Sequence, residues 1–106
     1  MSHAIYYVSY KLKKNVSVPD FLLAAEKLNH EYISKQNGFV SWKQLVDGKT
    51  WVDLITFETM DDLNDFKAAS RKSNAFAKKF YSFMNLNPLS CKIHIFSVEK
   101  NYEHGR

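Results

Sequence analysis

The sequence predicts an α+β domain in which a four-stranded antiparallel sheet carries helices on one face, in the ferredoxin-like order β-α-β-β-α-β. Three observations lead there. First, strand-like segments alternate with two helix-like regions over 106 residues, a length that fits one domain spanning 1–106. Second, Asp47-Gly48 is a strong turn signal that joins the two middle strands into a hairpin, and right-handed crossovers on either side of it place the outer strands. Third, the outer strands, Ile5-Tyr6-Tyr7-Val8-Ser9-Tyr10 and Cys91-Lys92-Ile93-His94-Ile95-Phe96-Ser97-Val98, carry bulky groups at odd and even positions alike. Side chains alternate across a strand, so a half-solvated sheet should present one polar face. Two helical regions cover only one face. The other needs a cover of its own, and the simplest is a second copy of the same sheet, giving a homodimeric α+β barrel.

Each element has local signals. The first strand spans residues 4–12. Ser17 then caps a helix, with Pro19 in its first turn and Asp20 three residues after the cap. A stripe of Phe21, Ala25, Leu28 and Tyr32 carries this helix to about residue 36, where Asn37-Gly38 supplies a left-handed stop. Residues 39–46 and 50–57 form the hairpin strands. Thr59 caps the next helix, and Asp61 and Asp62 lie favourably at its positive end. A break at residues 70–73 leads to a second stretch with Phe76, Phe80 and Phe83 on one side. Residues 85–88 read as a loop, residues 89–98 as the last strand, and the polar tail from residue 99 as frayed.

Composition narrows the class. Hydrophobic content of 45% and charged content of 25% are those of an ordinary soluble globular protein. Aromatic content of 15% is high, which points to a ring-lined cavity or a large interface. A net charge of +4 permits acidic partners without demanding them, and Arg71, Lys72, Lys78 and Lys79 read as a solvated face with anion attraction as the lesser option. The single cysteine, Cys91, rules out an internal disulfide and sits in a strand pattern as a small buried hydrophobe. No secretory apolar region and no membrane-length run of about 18 residues is present, so the expectation is a cytoplasmic protein with no membrane partner.

Several functions share this strand order and are separated by residues. RNA-recognition domains place stacking aromatics on the open sheet face in a basic-glycine-aromatic pattern. Here the third strand reads Lys49-Thr50-Trp51-Val52-Asp53-Leu54-Ile55, without glycines and with a negative charge where phosphates would lie, so no nucleic-acid partner is expected. The four histidines, His3, His30, His94 and His104, include no pair at ligand spacing, so no metal site is expected. Three glycines in the whole chain leave no phosphate-cradling loop, and no serine sits in a nucleophile turn.

The hairpin fixes which residues share a face, whichever two residues centre its turn. One face carries Val40, Trp42, Gln44, Trp51, Asp53, Ile55 and Phe57; the other carries Phe39, Ser41, Lys43, Leu45, Val52, Leu54 and Thr56. The first sets a carboxylate and an amide between two tryptophans, as a ligand pocket requires. Asp53 is the leading functional candidate: among rings its pKa would rise and it would act as a general base on an acidic phenol or enol. The structural alternative, an ion pair or hydrogen bond across a dimer interface, carries more weight for an isolated carboxylate. His94, mid-strand, is a core or interface histidine first and a proton acceptor second; His30 borders at most a pocket rim. Tyr10, Trp42 and Trp51 are candidates to position a flat substrate, the tryptophans equally so as interface anchors. Phe66 and Phe80 are core residues first and cavity wall second.

Over nearly its whole length the chain resembles the antibiotic-biosynthesis-monooxygenase-like family. The resembling features are the helix ending in Asn37-Gly38-Phe39, the strand Trp51-Val52-Asp53-Leu54-Ile55-Thr56-Phe57-Glu58-Thr59, and the segment Met60-Asp61-Asp62-Leu63-Asn64-Asp65-Phe66 that follows it. These signatures are diffuse and contain no invariant catalytic motif. The resemblance implies a homodimer with a pocket between sheet and helices in each subunit. The family includes cofactor-independent oxygenases of aromatic polyketides or quinols and haem-degrading enzymes. The haem-degrading branch uses a histidine iron ligand on the second helical stretch, an asparagine on the first strand and a tryptophan on the second helix. Phe80, Tyr10 and Phe66 stand at the best-matching places, and without the imidazole haem degradation of that type is not expected. The expectation is a small-molecule-binding monooxygenase-like protein without a cofactor, in which Asp53 or His94 takes the proton and Tyr10, Trp42, Trp51, Phe66 and Phe80 hold the substrate. The alternative is a non-catalytic ligand-binding or dimerisation module of the same fold.

Overall fold

The computed structural model describes residues 2–72 and 74–104; Ser73, in the expected helix break, and residues 105–106 of the tail lie outside the described residues. Strand β1 (Ala4–Leu12) is followed by helix α1 (Val18–Glu31), a 3-10 turn (Ile33–Lys35), strands β2 (Phe39–Asp47) and β3 (Thr50–Phe57), helices α2 (Met60–Ala69) and α3 (Ala75–Tyr81), and strands β4 (Met84–Asn85) and β5 (Lys92–Ser97). The chain is thus an α+β protein with an antiparallel sheet.

The sheet runs β2-β3-β1, with β5 and β4 both on the far edge of β1. β5 pairs with residues 4–9 of β1, and the two-residue β4 continues that edge opposite Lys11 and Leu12. The expected sheet had four strands. The fifth, too short for any pattern of its own, forms because Lys13 N–H donates to Phe83 O and holds the end of α3 beside β1. The last strand begins at Lys92 and not at Leu89, because residues 87–91 are bound in an Asn87-centred turn.

The helix boundaries follow their caps. Ser17 Oγ accepts from Asp20 N–H and Thr59 Oγ1 from Asp62 N–H, as their spacing predicts. Asn74 caps α3 by accepting from Phe76 and Ala77 N–H, which restarts the helix after the break. α1 is shorter than its periodicity suggests: Tyr32 leaves helical geometry at φ −138°, and a 3-10 turn completes the segment. Gly38 takes φ +75° beneath the Asp62 side chain, where a Cβ would collide, and its carbonyl accepts from Glu58 N–H at 2.7 Å. This close approach ties the start of β2 to the end of β3.

The core lies between sheet and helices, around Phe21, Leu28, Phe57, Leu63, Phe66 and Phe80. Its side of the sheet is set by the register. Asp53 pairs with Val8 on one side and Gln44 on the other, and Ile55 with Tyr6 and Trp42. Asp53, Ile55 and Phe57 are buried, so the face carrying Trp42, Gln44, Trp51 and Asp53 is the one beneath the helices. Two face assignments from the hairpin fail. A bulge between Phe39 and Ser41 puts Phe39 opposite Phe57, with the rings 6.5 Å apart, and leaves Val40 exposed as the extra residue. Phe39 therefore joins the helix side and Val40 leaves it.

Candidate functional site

Asp53 sits at the middle of β3 on the helix side, and only 4% of its surface is exposed. The fully buried Tyr10 reaches it from β1: the phenol donates to Asp53 Oδ1 at 2.9 Å. Tyr10 pairs with Trp51, two positions along β3 from Asp53, a diagonal that a tyrosine side chain spans. From β2 come Trp42 and Gln44. Their nitrogens Nε1 and Nε2 are buried and complete no hydrogen bond. Both nevertheless lie close enough to the carboxyl to favour its charged form. Ionisation of Asp53 gives these two orphaned donors the acceptor charge they lack.

Burial is the stronger influence. It raises Asp53 to a pKa of about 7, against the opposing pull of Tyr10, Trp42 and Gln44 in that order. Burial also raises the Tyr10 phenol far above its ordinary range, and the adjacent carboxyl adds to this. Tyr10 is thus a fixed neutral donor while Asp53 exchanges a proton near neutrality.

The carboxyl lies at the wall of a cavity of ≈ 260 Å³ between sheet and helices. Tyr6, Val8, Trp42 and Ile55 form its sheet side, Leu28, Phe66 and Phe80 its helix side, and Leu86, Cys91 and Ile93 the edge near β5. The lining is apolar apart from Asp53 and the phenols of Tyr6 and Tyr81. Tyr81 keeps 44% of its surface exposed, but its hydroxyl end lies near Tyr6, Asp53 and Cys91; burial first, then these neighbours, raise its pKa to about 12. Chemically the chamber offers one proton acceptor poised near pH 7, hydroxyl donors, and apolar walls suited to a flat ring.

Trp42, Phe66 and Phe80 line this cavity, the two phenylalanines thus taking the cavity-wall place that was the lesser of their two readings. Tyr10 stands behind Asp53 and does not reach the lining. Trp51 shares their face but packs edge-on against Phe21, with centroids 5.2 Å apart, and borders a separate groove. His94 pairs with Tyr7 and points to the opposite face of the sheet, its ring 5.6 Å from that of Tyr7 and 5.9 Å from Phe96. The sheet therefore separates His94 from Asp53. The expectation of an interface bond for Asp53 is corrected in the same way: its partner is Tyr10 of its own chain, under the helices. Neither tryptophan lies on the open face of the sheet. Tyr6 and Tyr81 are not singled out by the sequence, and Cys91, expected as a buried strand residue, lies half-buried just before β5 at the cavity edge. Tyr6 shares the parity of Val8 and Tyr10, but only the β1–β3 register brings it to the cavity.

No protein-family model and no curated protein sequence matches the chain. Solved structures do. SnoaB, a cofactor-independent oxygenase from Streptomyces nogalater, matches with a TM-score of 0.72 and 11% identity, over 98% of this chain and 100% of that one. A monooxygenase from the gene ActVA-Orf6 of Streptomyces coelicolor, in complex with nanaomycin D, matches with a TM-score of 0.72 and 15% identity, over 98% of this chain and 94% of that one. A heme-degrading protein of Mycobacterium tuberculosis matches with a TM-score of 0.64 and 11% identity, over 97% and 98% of the two chains. The resemblance read from the sequence thus holds at the level of the fold, which this chain shares with antibiotic-biosynthesis-monooxygenase-like proteins. Among the described residues no helix is long and apolar enough to cross a membrane.

Proposed function

We propose that the cavity binds a small, flat, largely apolar molecule with an acidic ring hydroxyl or enol, and that Asp53 removes its proton as the first step of a cofactor-independent oxidation. The observation that carries this reading is a carboxyl with a pKa of about 7 at the wall of an open apolar chamber. Asp53 accepts the proton, Tyr10 holds the carboxyl in place, and the substrate anion reacts directly with dioxygen. Where the substrate carbon is a methylene, one oxygen atom becomes its carbonyl and the other leaves as water with the two hydrogens. Trp42, Phe66 and Phe80 orient the ring, and Tyr81 sits where it can donate to the substrate oxygen. The fold shared with two oxygenases agrees with this reading. A dimerisation module with a phenylalanine-filled core is less well supported, because the space beside Phe66 and Phe80 is open.

The same proposal includes a homodimer formed through the open sheet face. The central strands present Ile5, Tyr7, Ser9, Val52, Leu54 and Thr56 there, none of them charged, while Lys11, Lys43 and Lys92 lie at the margins. An apolar centre with a charged rim is the anatomy of a protein interface, and a second copy supplies the matching surface. Oxygen uptake with a panel of hydroxylated aromatics tests the chemistry: turnover by the native protein and its loss in Asp53→Asn are expected. Uptake that survives this substitution would remove Asp53 from the mechanism.

A further inference from the structure

Trp51 is the one tryptophan that the Asp53 cavity leaves unused. It borders an open groove of ≈ 450 Å³ at the hairpin end of the sheet, between the β1–α1 connection and the β2–β3 turn. Four lysines, Lys11, Lys13, Lys14 and Lys49, surround this groove, and no acidic side chain lines it. Among the described residues none of the four makes an ion pair; the salt bridges present involve His30, Lys35 and Glu31. Val16, Val18 and Trp51 give the groove an apolar floor. Backbone geometry holds the lysines there: Lys13 N–H bonds Phe83 O at 2.9 Å, and Asn15 turns the chain at φ 64° into the Ser17 cap. The N-terminus of the 14-residue α1 begins at the groove's edge and adds partial positive charge to the lysines.

We propose that this groove is a second binding site, for a small organic phosphate whose charged group lies among Lys11, Lys13, Lys14 and Lys49 and whose apolar part rests on Trp51 and Val18. The inference is independent of the chemistry at Asp53, from which Phe21 and Phe80 separate it; these two rings stack 5.2 Å apart between Trp51 and the cavity. Four unpaired cations around one concavity favour a multiply charged anion over a single carboxylate, since each exposed contact contributes weakly and they act together. The concave shape favours a small molecule over a nucleic-acid strand, which needs a basic track along its backbone.

Titration of the intact protein with phenyl phosphate, followed through backbone and indole N–H resonances, is the test. Shifts are expected at residues 13–17, 48 and 49 and at the Trp51 indole, with little change at Trp42. Inorganic phosphate and benzoate should each bind more weakly, the first lacking the apolar part and the second carrying only a single negative charge. Lys13→Gln/Lys14→Gln should weaken phenyl phosphate by at least about tenfold, from about fivefold per exposed charge contact. Lys13→Arg/Lys14→Arg should retain binding, which separates charge from fold. Absence of these shifts at millimolar ligand, equal binding of benzoate, or undiminished binding by the glutamine variant would each overturn the proposal. So would tighter binding of a short oligothymidylate with shifts spreading beyond the groove, which would mark a nucleic-acid surface instead.

Discussion

The two faces of one sheet have opposite chemistry. On the helix side, Tyr10, Asp53 and Ile55 are buried, the carboxyl at 4% exposure, and the Trp42 and Gln44 side-chain nitrogens beside it lack hydrogen-bond partners. On the open side the same strands present Ile5, Tyr7, Val52 and Leu54, with Phe96 half exposed and no charge at the centre. Burying a carboxyl without a cation is unfavourable, and an apolar side chain at position 53 would suit the core better. The helix side therefore gives up stability to hold a proton acceptor. The open side leaves apolar surface exposed, as Phe96 at 50% shows. On the reading proposed above, one face serves chemistry and the other association, so substitutions on each should have effects of different kinds.

Asp53→Asn should produce the largest effects and move two properties in opposite directions. Loss of a general base is expected to reduce oxygen uptake by about 10²–10⁴-fold. Stability should rise, because the native carboxyl has a pKa of about 7 against 3.8 unperturbed. Between those values the folded protein binds more protons than the unfolded chain, so native stability falls as pH rises and the deficit is complete above pH 7. The asparagine protein should accordingly be more stable by up to about 4 kcal/mol at pH 8, and the gain should vanish near pH 4, in denaturant titrations at the two pH values. A variant less stable than the native protein at pH 8 would mean that Asp53 is held as a structural anion.

Leu54→Glu probes the other face, next to Asp53 in sequence but on the opposite side of β3. Two copies packed through this face would each bury a carboxylate there, and the dimer should weaken by about 3 kcal/mol, or more than 100-fold, read by light scattering against concentration. The protomer's circular dichroism should be retained, because Leu54 touches no helix. A monomeric native protein at micromolar concentration would break the comparison at its root.

Tyr10→Phe should have a smaller effect confined to the helix side. It removes one hydrogen bond to a charged group, about 2 kcal/mol, and this loss applies to the ionised carboxyl. The Asp53 pKa should therefore rise further, and the acidic limb of the pH–rate profile should move to higher pH while the dimer is unchanged. An unmoved limb would mean that Tyr10 does not act on the reacting group.

The division of the hairpin into two sets was legible in the sequence because parity survives any even shift of register. Which set lay under the helices was not legible, because Tyr6, Tyr7, Ile95 and Phe96 give both faces of the outer strands similar bulk. That choice is made by packing against Phe21, Phe66 and Phe80, which are far away in sequence. Asp53 and Trp42 are placed together by reading aromatic surroundings of a carboxylate along a strand pair, whereas helical spacing alone makes Phe66 and Phe80 core residues and does not bring them to Asp53. Trp51 was assigned to the same pocket by the same reasoning. Two residues along a strand are about 7 Å, enough to carry it past Phe21 into the lysine groove. The bulge at Phe39–Ser41 left no mark, since neither glycine nor proline stands there.

His94 gives the smallest and most discriminating test, because the sequence offered it the same role as Asp53 and the sheet places it on the other face. Its ring packs between Tyr7 and Phe96, so His94→Phe preserves the aromatic cluster and removes the ring nitrogens. Oxygen uptake and its pH profile should be unchanged. Dimer affinity should change by no more than about 1 kcal/mol, the scale of one aromatic contact, and in the direction of tighter association, because a polar ring leaves an apolar surface. Loss of activity with an intact dimer would require the imidazole to reach a substrate from the open face. In that case the reaction would take place between the two sheets rather than beneath the helices, and the division of labour between the faces would be reversed.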